Sequence, residues 1–192
     1  MNVVVYIDFK SPAARLAIGP TRVLADEFGV PIDWRPYNLK PRRRAGDANS
    51  KGAIHARVRA EYRQREQVFY ARQQNIRFVQ STAPLDSFAA NAGLLWATRT
   101  DRGDAYVEDV FERIWAAELD PSSQAEVSAA LARAGCNSDG FEDYLANEAE
   151  TALMRHADEA LELGAVDVPA YVIADDLFVG REHLPTIRSL LK

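Results

Sequence analysis

Residues 3–12 read VVVYIDFKSP, and this stretch decides the fold. Val3 to Ile7 is a β-branched and aromatic run of the length of a buried strand. Asp8-Phe9-Lys10 make a short turn. Ser11 has the chemistry of a helix N-cap, because its hydroxyl can accept a backbone N–H from the first turn. Pro12 suits the first helical position, where its missing N–H costs nothing. Far along the chain, Val168-Pro169 precedes a second apolar run at residues 170–174. Asp175-Asp176 turns that run into another strand at residues 177–180, and a short helix follows at 183–191.

Working outward from Pro12, Leu16, Ile18, Val23, Leu24 and Phe28 recur at roughly helical spacing, with Gly19-Pro20 an expected kink or break and Gly29 a C-cap. Pro31 opens a second strand at 32–37, and Pro36 marks it as an edge. Strand, helix and strand with short links give a right-handed crossover and two parallel strands. Residues 40–51 are a polar, basic loop, and residues 53–74 a highly charged helix. Residues 76–78 are expected to be a short extended piece. Further helices are expected from Asp86 or Ser87 to 99, over 106–117 with Val107, Val110, Phe111, Ile114 and Trp115 on one face, and from Ser122 or Ser123 to 134. A long helix is expected over 141–163, ended by Gly164.

The fold class is therefore α/β. The chain reads as one domain over 1–192, with a core from about 1–52 and 150–192 and a helical insertion at about 53–149. At 192 residues, nearly half of them apolar, it has material for one good core. The net charge of -5 points to neither nucleic acid nor an acidic surface as partner. No run of about 18 apolar residues suggests a membrane span, and the N-terminus lacks a basic n-region, so a cytoplasmic setting is expected. One cysteine, Cys136, excludes an internal disulfide and a dithiol cycle within the chain. His55, His156 and His183 have no ligand spacing, so no metal site is expected.

The segments 6–12 (YIDFKSP), 94–97 (LLWA), 110–115 (VFERIW), 164–172 (GAVDVPAYV), 177–180 (LFVG) and Leu184-Pro185 carry a family likeness. Their order and spacing resemble the DsbA-like branch of the thioredoxin superfamily. Within it they resemble the 2-hydroxychromene-2-carboxylate isomerase and kappa-class glutathione transferase group. The resemblance implies a thioredoxin-like fold with a helical insertion domain, a cis peptide bond before Pro169, and glutathione as cofactor. It also implies roles for residues. Ser11 matches the position that binds the glutathione sulfur and orients the thiolate. Val168, before Pro169, matches the segment that pairs with the glutathione backbone. In the isomerases of this group glutathione adds to a conjugated substrate, a bond rotates and glutathione leaves; in the transferases the adduct is kept. Dimerisation is common in the group, so a homodimer is a candidate assembly.

The chain also departs from the pattern. Ala13-Ala14 stand where family members carry an aromatic residue after Ser-Pro, which alters the substrate pocket. Arg181-Glu182-His183 replace a segment with an Asp-Arg pair; Glu182 is the candidate carboxylate for the glutamyl amine. Lys10, Ala13 and Arg181 are candidate contacts to a small, anionic or aromatic conjugated substrate. Arg42-Arg43-Arg44 would attract the same anions, although clustered loop charge is also an ordinary solvated surface. Asn49 and Lys51 lie near a ligand-binding Asn of the family. Cys136, in a turn after a helix, reads as a bystander, and Trp96, Phe111 and Trp115 as core or insertion interface. Two rival readings stay open: a thioredoxin-fold binding protein without catalysis, and a DsbA-type oxidoreductase by fold alone. The second lacks a thiol at both active positions, Ser11 and Ala14, where exchange would have to start.

Overall fold

The computed structural model describes residues 2–38, 50–79, 81 and 84–192. Their contacts separate into two compact units, residues 1–39 with 79–192, and residues 40–78. The basic run Arg42-Arg43-Arg44 and Asn49 lie outside the described residues.

The larger unit is built on one sheet. Strand β1 (Val3–Ile7) leads into helix α1 (Pro12–Phe28) and strand β2 (Ile32–Pro36). Strands β3 (Ala170–Ile173) and β4 (Asp176–Val179) come from the other end of the chain. The order is β2-β1-β3-β4. β1 runs parallel to β2 and antiparallel to β3, and β3 pairs antiparallel with β4. β1 thus sits inside the sheet, and Val3, Val5, Tyr6 and Ile7 are buried. β2 is an edge, as Pro36 requires, since a proline gives no N–H to a ladder.

Helix α1 runs through Gly19-Pro20 without ending there. Leu16, Ala17, Ile18, Thr21, Leu24 and Ala25 are buried on both sides of that pair. Their burial outweighs a proline penalty of about 3 kcal/mol. Gly29 at φ 61° then closes the helix in the left-handed conformation.

Helices α3 (Phe88–Thr98), α4 (Gly103–Trp115), α5 (Gln124–Arg133), α6 (Phe141–Asn147) and α7 (Ala149–Glu162) fill the chain between the two halves of the sheet. The apolar face of α4 is buried as its spacing predicts: Tyr106, Val107, Val110, Phe111, Ile114 and Trp115. Asp104 ties its start to the sheet and to α1, accepting from Trp34 Nε1 at 2.8 Å and pairing with Arg22 at 3.0 Å. The expected single helix over 141–163 is two helices, because Glu148 leaves helical geometry at φ -122°. One residue earlier, Asn147 Nδ2 donates to the carbonyl of Asp143 at 2.8 Å, a local side-chain bond that competes with the helix ladder. Ala174 (φ 53°) makes the turn between β3 and β4. After β4, a 3-10 turn at Arg181–His183 precedes α8 (Leu184–Leu190), so that helix starts one residue later than its sequence suggests.

In the smaller unit, α2 (Lys51–Gln73) is capped by Ser50, whose hydroxyl accepts from Ala53 N at 3.2 Å. Ile54, Val58, Tyr62 and Phe69 are exposed along it. Residues 76–78 form no strand. No helix among the described residues is long and apolar enough to cross a membrane.

Candidate functional site

Ser11 sits at the carboxyl end of β1, where the chain turns into α1. Its backbone is extended (φ -89°, ψ 115°) and its Oγ accepts from Ala14 N at 3.2 Å, the N-cap geometry its sequence predicts. Ser11 N donates to the carbonyl of Asp8 at 2.9 Å, which closes the turn. The residue is 7 % exposed. Because Oγ accepts within the cap, its own hydrogen remains to be given to a ligand. Pro12 has no N–H, and the N–H of Ala13 in the first turn has no intrahelical acceptor. The helix start is thus polarised toward negative charge.

The sheet register brings the late proline to the same place. Tyr6 pairs with Ala170, so the residue before Ala170 lies beside the end of β1. The peptide bond between Val168 and Pro169 is cis. Pro169 O accepts from Gly180 N at 2.9 Å. Gly180 has φ 110°, and the space a side chain would need there is taken by the Glu182 carboxylate. Pro169, Gly180 and Glu182 are therefore neighbours, and an alanine at 180 would displace that carboxylate. Tyr37, just past β2, steadies the approach to the proline. Its N–H donates to Ile7 O at 2.7 Å and its hydroxyl to Ala165 O at 3.1 Å. Behind the site, the buried Tyr171 hydroxyl shares a 3.0 Å hydrogen bond with Thr21, and burial pushes its pKa well up.

A buried polar cluster lies under the Ser11 turn. Asp8 is fully buried. Its Oδ1 accepts from Ser87 Oγ at 2.5 Å and from Asn91 Nδ2 at 3.2 Å, and its Oδ2 pairs with Lys10 Nζ at 3.1 Å. Lys10 Nζ also donates to Asn38 Oδ1 at 2.8 Å. Asn91 Oδ1 accepts from Phe9 N at 3.4 Å. The carboxylate is thus compensated on every side, as a buried charge must be. Through Asp8 and Asn91, α3 fixes residues 8–10 and with them the entry of the chain into Ser11.

The residues expected from sequence separate accordingly. Ser11, Val168, Pro169 and Glu182 are gathered at one end of the sheet. Val168 is buried, and its N–H donates to Asp167 Oδ1 at 3.0 Å, so that donor is already engaged. Ala13 is half-buried on the first turn of α1. Arg181 and Glu182 both lie within electrostatic reach of Tyr171, beneath the same corner. Lys10 is turned inward onto Asp8 and Asn38. Asp8, Ser87 and Asn91 are not legible in the sequence as parts of the site: Asp8 reads as a turn residue and Ser87, like Asp86, as a candidate cap; Asp86 Oδ1 does accept from Phe88 N at 2.9 Å. Ser87 makes no cap hydrogen bond, because its hydroxyl goes to Asp8. An asparagine within the otherwise apolar FAANAGLLWAT was the available signal. Cys136 is buried and away from this corner, under Thr100 Oγ1. Among the described residues no cluster of His, Cys, Asp or Glu could hold a metal ion.

Comparison with known proteins agrees with this layout. The DSBA-like thioredoxin domain matches residues 2–192. The 2-hydroxychromene-2-carboxylate isomerase of Sphingobium xenophagum is 27% identical over 97% of this chain and 95% of its own. A solved 2-hydroxychromene-2-carboxylate isomerase superposes with a TM-score of 0.81 at 24% identity, covering 100% of this chain and 94% of that one. The cytosolic disulfide reductase DsbM of Pseudomonas aeruginosa, solved with GSH, has the same fold at a TM-score of 0.67 and 14% identity, covering 100% of this chain and 97% of that one. With the strand order, the cis-proline and the helical insertion, these matches establish that the chain belongs to the DSBA-like thioredoxin domain family and has its thioredoxin-like α/β fold.

Proposed function

We propose that the protein is a glutathione-dependent isomerase or transferase acting on a small conjugated or aromatic organic substrate, in the manner of the 2-hydroxychromene-2-carboxylate isomerases. The observation that carries this reading is Ser11: a cap hydroxyl with its hydrogen to give, at a polarised helix start, beside a cis-proline. The likeness over nearly the whole chain to proteins named as such isomerases supports it.

The residues fit a bound thiolate. Glutathione, when bound, supplies the sulfur nucleophile. Ser11 Oγ would donate a hydrogen bond to that sulfur, and the first turn of α1 would add positive partial charge, both favouring thiolate over thiol. The Val168-Pro169 segment would hold the peptide backbone. Its carbonyl side is the part offered, since the Val168 N–H is engaged by Asp167. The Glu182 carboxylate, folded over Gly180, would face the glutamyl amine. Arg181 and Ala13 would border the substrate, and Lys10 would contribute positive potential from beneath the turn. Free thiolate chemistry of this kind suits a reducing compartment, which favours a cytoplasmic setting. Disulfide exchange is disfavoured, since Ser11 and Ala14 offer no sulfur.

Calorimetric titration of reduced glutathione into wild type and Ser11→Ala, between pH 6 and 9, tests this. Saturable binding is expected, weaker in the variant, with a deficit that grows with pH as the thiolate fraction rises. Absence of heat and of thermal stabilisation at millimolar glutathione would remove the cofactor and leave a binding protein.

A further inference from the structure

Helix α1 carries two arginines on the flank that packs against α4, and they are used differently. Arg22 is held by ion pairs, although its Nε too is buried without a partner: NH1 pairs with Glu108 at 2.6 Å, and NH2 with the Asp104 carboxylate at 3.0 Å and carbonyl at 2.6 Å. Arg15, two turns earlier, is not. Its Nε is buried with no hydrogen-bond partner, and no ion pair holds its guanidinium among the described residues. Buried donors without partners are rare and need an explanation. Glu112 and Glu108 are near enough to support its positive charge electrostatically. An arginine stays charged even when burial opposes it. Apolar packing between α1 and α4 would be served as well by leucine or methionine.

The position gives the cation its meaning. Arg15 N donates to Ser11 O at 3.1 Å, so Arg15 stands one helical turn, about 5.4 Å of rise, from the cap hydroxyl. It shares the α4 flank with Ile18 and Arg22 by helical spacing. The opposite flank of α1 belongs to the other end of the chain: Glu27 pairs there with Arg188 of α8 at 2.7 Å. Pro169, Gly180 and Glu182 lie on the strands and turn leading into α8.

Resting on the reading of Ser11 as the thiolate site, we propose that Arg15 is a specificity residue that receives a carboxylate of the conjugated substrate on the α4 side, while the thiol is held on the side of Pro169. A guanidinium with an unfilled planar fork is suited to bidentate carboxylate recognition. The same chemistry could serve a carboxylate of glutathione, and the experiment separates the two sources.

The probes are cinnamate, a conjugated carboxylate, and cinnamide, its neutral counterpart. Both are titrated calorimetrically into the full chain, with and without saturating reduced glutathione, for wild type, Arg15→Met and Arg15→Lys. Wild type should bind cinnamate about tenfold or more tighter than cinnamide, from one charge-assisted pair. Arg15→Met should equalise the two, Arg15→Lys should keep part of the preference, and glutathione affinity should be the same in all three. Cinnamide serves as the control for packing, since a variant that merely loosens α1 against α4 weakens both probes alike. A preference that survives in Arg15→Met, no preference in wild type, or no binding of either probe overturns the proposal. Loss of glutathione affinity in Arg15→Met would assign the cation to glutathione and overturn it too. If glutathione fails to bind but the Arg15-dependent preference remains, the thiolate reading falls and the carboxylate site stands.

Discussion

Replacing Asp8 by asparagine isolates the polar cluster that holds the Ser11 turn, because the shape hardly changes. The amide oxygen can take the place of Oδ1, which accepts from Ser87, Asn91 and the Lys10 N–H. The NH2 group must then face the Lys10 ammonium, donor against donor, where Oδ2 stood at 3.1 Å. Removing one partner of a fully buried pair costs about 3–5 kcal/mol, whereas an exposed pair is worth about 0–1 kcal/mol. The Asp8 side chain is 0% exposed and that of Lys10 24%, which puts the pair nearer the buried limit. A loss of about 2–3 kcal/mol is expected, or a fall in Tm of about 5–10 °C for a chain of this size. The assay is urea denaturation of wild type, Asp8→Asn, Lys10→Met and the double variant at pH 7. The double variant should lose about 1–2 kcal/mol less than the sum of the singles, since residues in contact couple. A loss under about 0.5 kcal/mol in Asp8→Asn, or strict additivity, would refute the account of Asp8 as a compensated buried charge.

Other consequences are as direct. A Cβ at Gly93 would run into the Tyr106 hydroxyl and Val127, so Gly93→Ala should cost about 1–3 kcal/mol by overpacking, read as a lower denaturation midpoint; an unchanged midpoint would show that Tyr106 can yield. Burial alone would raise the Asp109 pKa, but hydrogen bonds from Arg133 and Arg113 outweigh it and hold the pKa below the ordinary 3.8. Its stabilising contribution is therefore complete above that value and is lost as pH falls through the lower folded pKa. The stability gap between wild type and Asp109→Asn, about 1 kcal/mol, should stay level from pH 7 to 5 and close in more acid solution; a gap that widens on acidification would reverse the assignment.

The local signals of this chain survive into the structure wherever a few neighbouring residues decide the outcome. Ser11 caps α1 because the hydroxyl and the N–H that donates to it are three residues apart, and Gly29 ends it because glycine alone enters the left-handed region freely. The apolar stripe of α4 is buried as its spacing requires. The signals mislead where distant parts compete. Ser87 has the chemistry of a cap, yet its hydroxyl is claimed by a buried carboxylate 79 residues away in sequence. The Gly19-Pro20 pair reads as a kink or break, yet burial of its neighbours carries the helix through.

The sequence by itself determined the α/β class, the cap at Ser11, the absence of a dithiol and the family likeness, since each rests on residue types and short spacings. Only the tertiary structure decided that Glu182 lies over Gly180 beside Pro169, that Lys10 turns inward to Asp8, and that Arg22 is paired where Arg15 is not. Those outcomes depend on which side chains from remote segments reach the same buried space first, and on whether a buried charge there finds its partner.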